Sequence, residues 1–494
     1  MRKWWKRDDG FTFVWLAMIM VVLIGMTGFG TDLGWLYLNA ARAQKAVDAA
    51  AMAGVVSLPG FPALATLDAE RAARANGYDP GGVDTLTVTP IDDNQLHAEL
   101  QTSVEPFFIK VLGFTQFNIT REATAQYVKP VPLGSPDNCF GFDPTGVYCS
   151  SSTEDFWAAV SGRYTRKQDG DPYSTTCYTN SGPSSCSAGN GDYARAGSYP
   201  GYYYGIEVEP GQTNLQVHVF DARYNGRSGS GDQTGDIRYS GGGGGPGIAT
   251  TFDLKAVDTT PLDPTDNPST GCVWNLAPDT NNTYRWNWQT LCTIGSPTPG
   301  IYVLHIESYN SGAGSNNFSI AATATGGSGN PRVYGINDMS IWSNDFTQGS
   351  ELFLAEIEPL HAGKKLELQF YDPGDADNNS WYSVLTPFGT VPNCSWTVHN
   401  HNGTSQISSG SGPCTWQTTN ASQTDPETGG PLRVFNEQWI TAIIDLPDDP
   451  ATMCNTALPA DRQCFWKMDL NLSNPTERTT WRVRVIGNPV RLIP

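Results

Sequence analysis

Three sets of side chains have types and spacings that suit chemistry. The segment Asp372-Pro-Gly-Asp375-Ala-Asp377-Asn-Asn379 alternates Asp and Asn oxygens in a Gly-containing loop, the hard donors that calcium coordination needs. It lacks the full EF-hand spacing, and Asp/Asn/Gly clusters also build ordinary turns. Asp372, Asp375 and Asp377 therefore carry two readings, a turn and a calcium site. His399 and His401 share one face of an expected strand and are the one histidine pair spaced to grip a metal together. With no acid beside them they also read as two surface histidines. Ten cysteines all lie from Cys139 onward, in close sequence pairs, and no Cys-x-x-Cys spacing occurs. They read as disulfides formed in an oxidising compartment rather than as zinc ligands. Local pairing is the simplest connectivity: Cys139–Cys149, Cys177–Cys186, Cys272–Cys292, Cys394–Cys414 and Cys454–Cys464.

No Gly-x-Ser-x-Gly, His-Glu-x-x-His or phosphate-binding Gly-Lys-Ser/Thr pattern is present. Without a positioned His or Asp, each Ser defaults to a turn or a cap. The expectation is a protein that is not an enzyme, with no catalytic residues and no cofactor beyond the calcium candidate.

The scaffold follows from composition. A net charge of −19 and a pI of about 4.6 exclude nucleic acid as a partner, because its phosphates would be repelled. Charged residues make up only 16 %, while 52 Gly and 34 Pro point to short strands joined by tight turns. The 20 Phe, 20 Tyr and 15 Trp need a core, which rules out a disordered chain. At 494 residues, two or three domains are expected.

Phe11 to Gly30 is an uncharged apolar run of 20 residues, enough for a helix to cross ~30 Å of hydrocarbon. Arg2, Lys3, Lys6 and Arg7 precede it, so residues 1–10 are expected to be cytoplasmic and everything after Asp32 extracellular or periplasmic. A cleavable signal peptide is the competing reading. The nearest small-x-small pattern, Ala49 to Ala53, lies far past the apolar run, which favours a retained anchor. Leu33, Leu36, Ala40, Ala43, Val47, Ala50 and Gly54 then alternate at spacings of three and four, forming one seam lined outward by small residues. That seam suits either this domain's own sheet or helices of other subunits.

The order of apolar helix, Asp32-Leu-Gly-Trp-Leu-Tyr-Leu, and Ala43-Gln-Lys-Ala-Val-Asp48-Ala-Ala-Ala-Met-Ala-Gly54 resembles the N-terminal domain of TadG-like proteins. These belong to the TadE/TadG-like group associated with assembly of tight-adherence (Flp) pili. The resemblance continues to about Val128, through strands expected at Val83–Val88, Leu96–Val104 and Ile119–Tyr127. It implies an accessory or assembly role, with pilus-assembly membrane proteins or pilin-like subunits as partners through the N-terminal helix. Gly10-Phe11-Thr12 departs from a prepilin cleavage site, because the fifth residue after the glycine is Trp15 and not glutamate. Processing there, and a role as a pilin subunit, are not expected.

Leu64 to Ala75 reads as a short helix with Thr66 as N-cap and Asn76-Gly77 closing it. Alternation predicts Leu96, Ala98 and Leu100 facing the core, with His97, Glu99 and Gln101 outward. Beyond the Pro-rich segment 129–138, read as a linker, a unit repeats. Ile206-Glu-Val-Glu-Pro210 with Leu215–Asp221 matches Ala355-Glu-Ile-Glu-Pro359 with Leu366–Asp372. Cys272-Val-Trp274 with Cys292 matches Cys394-Ser-Trp396 with Cys414. Tyr302–Ile306 and Phe318–Ala322 match Phe465–Asp469 and Trp481–Val485. The expected fold is an α+β pilin-like domain (31–128) on a transmembrane helix (11–30), followed by two tandem jelly-roll-like β-sandwiches (139–328 and 329–494). A Gly-rich insertion, Asn225 to Gly247, interrupts the first. Tyr202, Tyr203 and Tyr204 either fill its core or present a glycan-binding face. The alternative function is accordingly a carbohydrate- or matrix-binding surface module.

Overall fold

The computed structural model describes residues 9–149, 156–162, 165, 171–173, 201–222, 225–226, 237–238, 248–260, 263–277, 286–308, 314–343, 350–371, 380–399, 406–417, 419–424, 431–434, 438–471 and 477–493. The chain forms two compact units: an anchor unit made of the chain up to Val128 together with Asn488 onward, and a β-rich unit from Lys129 to Gly487.

The anchor unit is led by α1 (Asp9–Val55), one uninterrupted helix that carries the apolar run straight into the small-residue seam. Helix α2 (Pro62–Ala75) starts earlier than expected. Pro62 opens it, where a missing N–H costs nothing, and Thr66 lies inside the helix with its hydroxyl bonded back to the Pro62 carbonyl at 3.3 Å. Thr66 is therefore not the cap. Asn76 ends the helix, and Gly77 follows at φ +90°, a conformation that favours glycine. Strands β1 (Thr85–Asp92), β2 (Gln95–Val104) and β3 (Phe117–Tyr127) form an antiparallel sheet in that order. Leu96, Ala98 and Leu100 are fully buried against α1, so the alternation sets the sheet's inner face. The sheet gains a fourth strand from the far end of the sequence. Val490–Ile493 pairs with β3, Val490 opposite Tyr127. Residues 488–494 thus complete the anchor unit, and not the second sandwich to which the sequence reading gave them.

In the β-rich unit one long sheet runs through Trp288–Ile294, Thr213–Asp221, Gly314–Thr325, Phe156–Ser161, Asp338–Ser343, Glu477–Ile486, Lys365–Tyr371, Trp439–Asp445, Cys394–His399 and Gln406–Gly412. Two shorter sheets supply the second layer. One is ordered Ser269–Leu276, Thr250–Lys255, Gly300–Ser308, Tyr202–Val208, Arg332–Ile336; the other is Ser350–Glu356, Phe465–Asn471, Trp381–Thr386, Gly389–Thr390. One continuous hydrophobic core lies between the layers, from Phe140 and Tyr204 to Trp416 and Trp481.

The repeat is visible in the pairing. Gly300–Ser308 sits between Tyr202–Val208 and Thr250–Lys255, just as Phe465–Asn471 sits between Ser350–Glu356 and Trp381–Thr386. Alternation in both halves of the repeat predicts that Ile206–Pro210 and Leu215–Asp221 are adjacent strands joined by a turn. They lie instead in opposite layers, as do their counterparts at 355 and 366. Alternation marks a half-buried strand but does not say whether the next one pairs beside it or crosses the core. The first sandwich also runs past residue 328: Arg332–Ile336 still pairs with Tyr202–Val208. Asn337, at φ +66°, then turns the chain into Asp338–Ser343 in the long sheet.

Residues 129–138 do not behave as a free linker. Leu133 is fully buried and exchanges backbone hydrogen bonds with Gly335 at 3.1 and 2.8 Å, while the Glu356 N–H donates to the Pro132 carbonyl at 3.0 Å. The segment therefore fills the seam between the two shorter sheets. Of the Gly-rich insertion, only 225–226 and 237–238 are among the described residues.

Candidate functional site

From Phe13 to Phe29 the large side chains of α1 are half or more exposed on every face of the helix. A helix apolar all round and bare of protein is stable only in apolar surroundings. Among the described residues it is the one helix long and apolar enough to cross a membrane. Its hydroxyls are satisfied internally: Thr27 donates to the Leu23 and Ile24 carbonyls at 2.9 Å, and Thr31 to Thr27 at 2.9 Å.

Above the apolar run, Ala40, Ala43, Val47, Ala50 and Gly54 are buried against β2, β3 and α2. The seam is closed by the chain's own domain, which decides between the two readings the sequence left open. Its small side chains are what let helix and sheet approach; at Gly54 a Cβ would lie 2.6 Å from the Ala65 carbonyl oxygen. Only the start of the seam remains open, with Leu33 half exposed and Leu36 partly covered.

Asp32, at the end of the apolar run, is buried and accepts three backbone hydrogen bonds: Phe107 N–H at 2.7 Å, Phe108 N–H at 2.9 Å and Ile109 N–H at 2.7 Å. It thereby ties the loop between β2 and β3 to the helix. In the sequence Asp32 marks the boundary of the apolar run and the start of the TadG-like stretch, with no sign of its partners. The available signal was a lone carboxylate on an apolar helix together with an apolar stretch, Phe107 to Leu112, that follows neither a helical nor a strand period.

The other expected site residues scatter. Asp372, Asp375 and Asp377 lie outside the described residues, as do His401, Cys177 and Cys186. His399 ends the strand Cys394–His399. The bonds Cys139–Cys149, Cys272–Cys292, Cys394–Cys414 and Cys454–Cys464 are formed. The two 20-residue pairs each clip one layer to the other, but in opposite order. Cys272 lies in a shorter sheet and Cys292 in the long one, whereas Cys394 lies in the long sheet and Cys414 beside Val384 of a shorter one. Tyr202 and Tyr204 are core residues, and Tyr203 stacks on His305 at 4.5 Å.

On the outer face of the anchor sheet, His97, Glu99 and Glu122 bring ligand atoms within 4.8 Å of one another. His97 Nδ1 already meets the Thr124 hydroxyl at 3.1 Å, and Glu99 accepts from Gln101 at 2.6 Å. In the β-rich unit several of the described buried charges pair with one another. Lys129 pairs with Glu207, and Arg332 with Glu356 at 2.6 Å. Arg482 donates to the Tyr173 hydroxyl at 2.5 Å, which donates to Asp338. Burial pushes the Tyr173 phenol well above its usual range, so it stays neutral as a clamp between strands and not as a proton shuttle. Asp143 accepts from the Thr145 hydroxyl and from N–H groups of Tyr148, Cys149 and Trp288. Burial opposes its ionisation, yet these donors hold its pKa at about 2. Each cluster is a structural fastening. Where an imidazole meets a hydroxyl, at His97 with Thr124 and at His218 with Thr290 and Thr323, the contact likewise joins neighbouring strands. The arrangement as a whole can anchor, space and present.

Residues 10–57 match the family model described as "Putative Flp pilus-assembly TadE/G-like". The match takes in the apolar run, Asp32 and the seam, and ends two residues past α1. No curated protein matches. Among solved structures, the N-terminal CBM22-1-CBM22-2 tandem domain of Xyn10C from Paenibacillus barcinonensis is 9 % identical, with 55 % of this chain and 79 % of that chain covered and a TM-score of 0.11. The chain thus joins a Tad-like, pilus-assembly-related N-terminal region on an apolar anchoring helix to a disulfide-bonded β-sheet ectodomain.

Proposed function

We propose that this protein is an accessory or assembly component of a tight-adherence (Flp-type) pilus system, or of a related surface-attachment system, and that it works without catalysis. The observation that carries this reading is the coincidence of the family match with the bare apolar helix and its Asp32 fastening. In this reading Arg2, Lys3, Lys6 and Arg7 keep the N-terminus cytoplasmic, and the ectodomain stands outside, extracellular or periplasmic. Partners among pilus-assembly membrane proteins or pilin-like subunits reach α1 through its membrane-embedded face and its open start at Leu33 and Tyr37, because the seam above is already occupied. Electron microscopy of cells with and without the gene, counting surface filaments, tests the proposal. Loss of filaments on deletion and return on complementation supports it; unchanged filament numbers refute it.

The alternative, a carbohydrate- or matrix-binding module, keeps exposed aromatic rings at Trp381 and Phe388 but loses Tyr202 and Tyr204 to the core. A glycan-array signal from the ectodomain would favour it. Calcium at Asp372, Asp375 and Asp377 is likewise a proposal, and an unchanged thermal melt in millimolar chelator would remove it.

A further inference from the structure

The stretch Phe107-Phe-Ile-Lys-Val-Leu-Gly-Phe114 is strongly apolar and yet contributes nothing to the anchor unit's buried core. Val111 is 89 % exposed and Leu112 75 %, while Phe107, Phe108 and Phe114 are each more than half exposed. A single 3-10 turn, Ile109–Leu112, closed by Gly113 at φ +95°, holds these side chains outward. An apolar cluster of this kind on a loop normally marks a contact surface.

Three contacts fix the loop beside α1. Asp32 takes the three N–H groups at its start. The Phe108 ring covers Gly28, where a Cβ would lie 3.0 Å from the ring. Phe107 leans on Trp35, with ring centroids 5.3 Å apart. Gly28 lies inside the apolar run and Trp35 beyond its end, so the loop spans seven residues of α1, roughly 10 Å of rise, across that boundary. Gly30 and Gly34, on the same stretch of helix, have nothing within 4 Å, so the contact is made on one side of the helix.

We propose that Phe107–Phe114 is a second membrane contact, a wedge seated in the interfacial layer of the leaflet on the ectodomain side. The occupant is the bilayer that surrounds α1. Phe29 and Leu33 flank the same height and are about half exposed, so the medium that covers them also covers Phe108. Lys110, in the middle of the cluster and paired with Glu105 at 3.1 Å, supplies an ammonium that a headgroup phosphate would meet. Trp35 and Tyr37 supply the interfacial aromatics expected just above such a boundary. The wedge adds little to the retention of a chain that already has a spanning helix. It fixes helix tilt and rotation, which a lone helix leaves to chance. The inference rests on the reading that α1 spans the membrane.

The test uses the full-length chain reconstituted in phosphatidylcholine vesicles that carry doxyl-labelled lipids. Single cysteines at Val22, Leu112 and Ile91 are labelled with an environment-sensitive fluorophore under non-reducing conditions. Ile91 is the aqueous reference: it sits beside the β1–β2 turn, at the end of the sheet away from the Phe107–Phe114 loop, with the length of β2, ~30 Å of strand rise, between them. The expected pattern is deepest quenching at Val22, none at Ile91, and quenching at Leu112 strongest with shallow doxyl lipid, at a depth of about 5–10 Å below the headgroup boundary. Asp32→Ala is expected to abolish the quenching at Leu112 and leave Val22 unchanged. A Leu112 label as wet as Ile91 overturns the wedge. So does a Leu112 label that is dry but unquenched by lipid and becomes wet on dilution in lipid, which would make the occupant a second copy. Unchanged Leu112 quenching in Asp32→Ala overturns the latch. Absence of quenching at Val22 overturns the spanning reading itself, separately from the wedge.

Discussion

Replacing Gly54 with valine should damage the anchor unit selectively. Gly54 is buried near the end of α1, and a Cβ there would lie 2.6 Å from the Ala65 carbonyl oxygen and 3.3 Å from both Ala69 Cβ and Leu96 Cδ1. Ordinary contact begins at 3.4 Å, so the first approach is short by 0.8 Å, and the atom in the way belongs to the backbone of α2. A flexible side chain could swing aside, but here the whole of α2 must shift and lose its fit against α1. Overpacking of this kind costs about 1–3 kcal/mol. Leaving glycine in a helix recovers only about 0.4 kcal/mol for valine. The expected net loss is therefore about 2 kcal/mol. Gly34→Val, on the same helix but with nothing within 4 Å, should show only the small gain. Pulse proteolysis of the full chain in detergent across a urea series, following cleavage at Arg71 and Arg74 on α2, reads the opening free energy of this unit. If Gly54→Val leaves that free energy within about 0.5 kcal/mol of the parent while surface filaments disappear, the seam is a docking surface for other subunits, and the intramolecular packing argument is wrong.

Asp143→Asn should cost up to about 2 kcal/mol at neutral pH, because the folded carboxylate titrates at about 2 against 3.8 unfolded. That stabilisation is complete above pH 3.8 and is lost as pH falls toward 2, so acid denaturation curves of parent and variant should converge there. His218 is buried, stacked on Tyr148 and held down to about 4 from 6.5. The unfolded chain takes up its proton first, so stability falls as pH drops from 6.5 toward 4, and His218→Gln should flatten melting temperature across that window. Replacing Cys272 and Cys292 together by serine opens a 20-residue loop. By the loop-entropy relation this should cost about 3 kcal/mol, seen in denaturant melts of the ectodomain. A chain stopped after Gly487 lacks the strand that covers β3 and should expose the anchor unit to protease and leave the sandwiches intact.

The parts of this architecture that were legible in the sequence are those written locally. A run of 20 apolar residues sets a membrane-length helix, alternation at Leu96, Ala98 and Leu100 sets the inner sheet face, and cysteines 10 and 20 residues apart meet because short loops close easily. What escaped depends on distance. Nothing near Val490 announces that its partner is Tyr127, and nothing in Leu215–Asp221 says that it crosses the core instead of pairing with its predecessor. Thr66 looked like a cap because its type suits that position, whereas Pro62, with its preset φ, began the helix first. Asp32 was visible as a residue but not as a latch, because its three donors lie 75 to 77 positions away.

The strand Val490–Ile493 also makes the anchor unit a record that synthesis has passed through the whole β-rich unit. β3 is translated long before the strand that covers its edge, and the whole β-rich unit lies between them. Domains fold as the chain emerges, N-terminal parts first, but this one has to wait with an open edge until everything from Lys129 to Gly487 has been made. A chain that breaks off early keeps its membrane helix and most of its sheet yet leaves β3 unpaired from Thr124 to Tyr127, at the end of the sheet away from the bilayer. That open edge distinguishes a chain stopped before Val490 from one that has passed it, in a form that a quality-control protease could read.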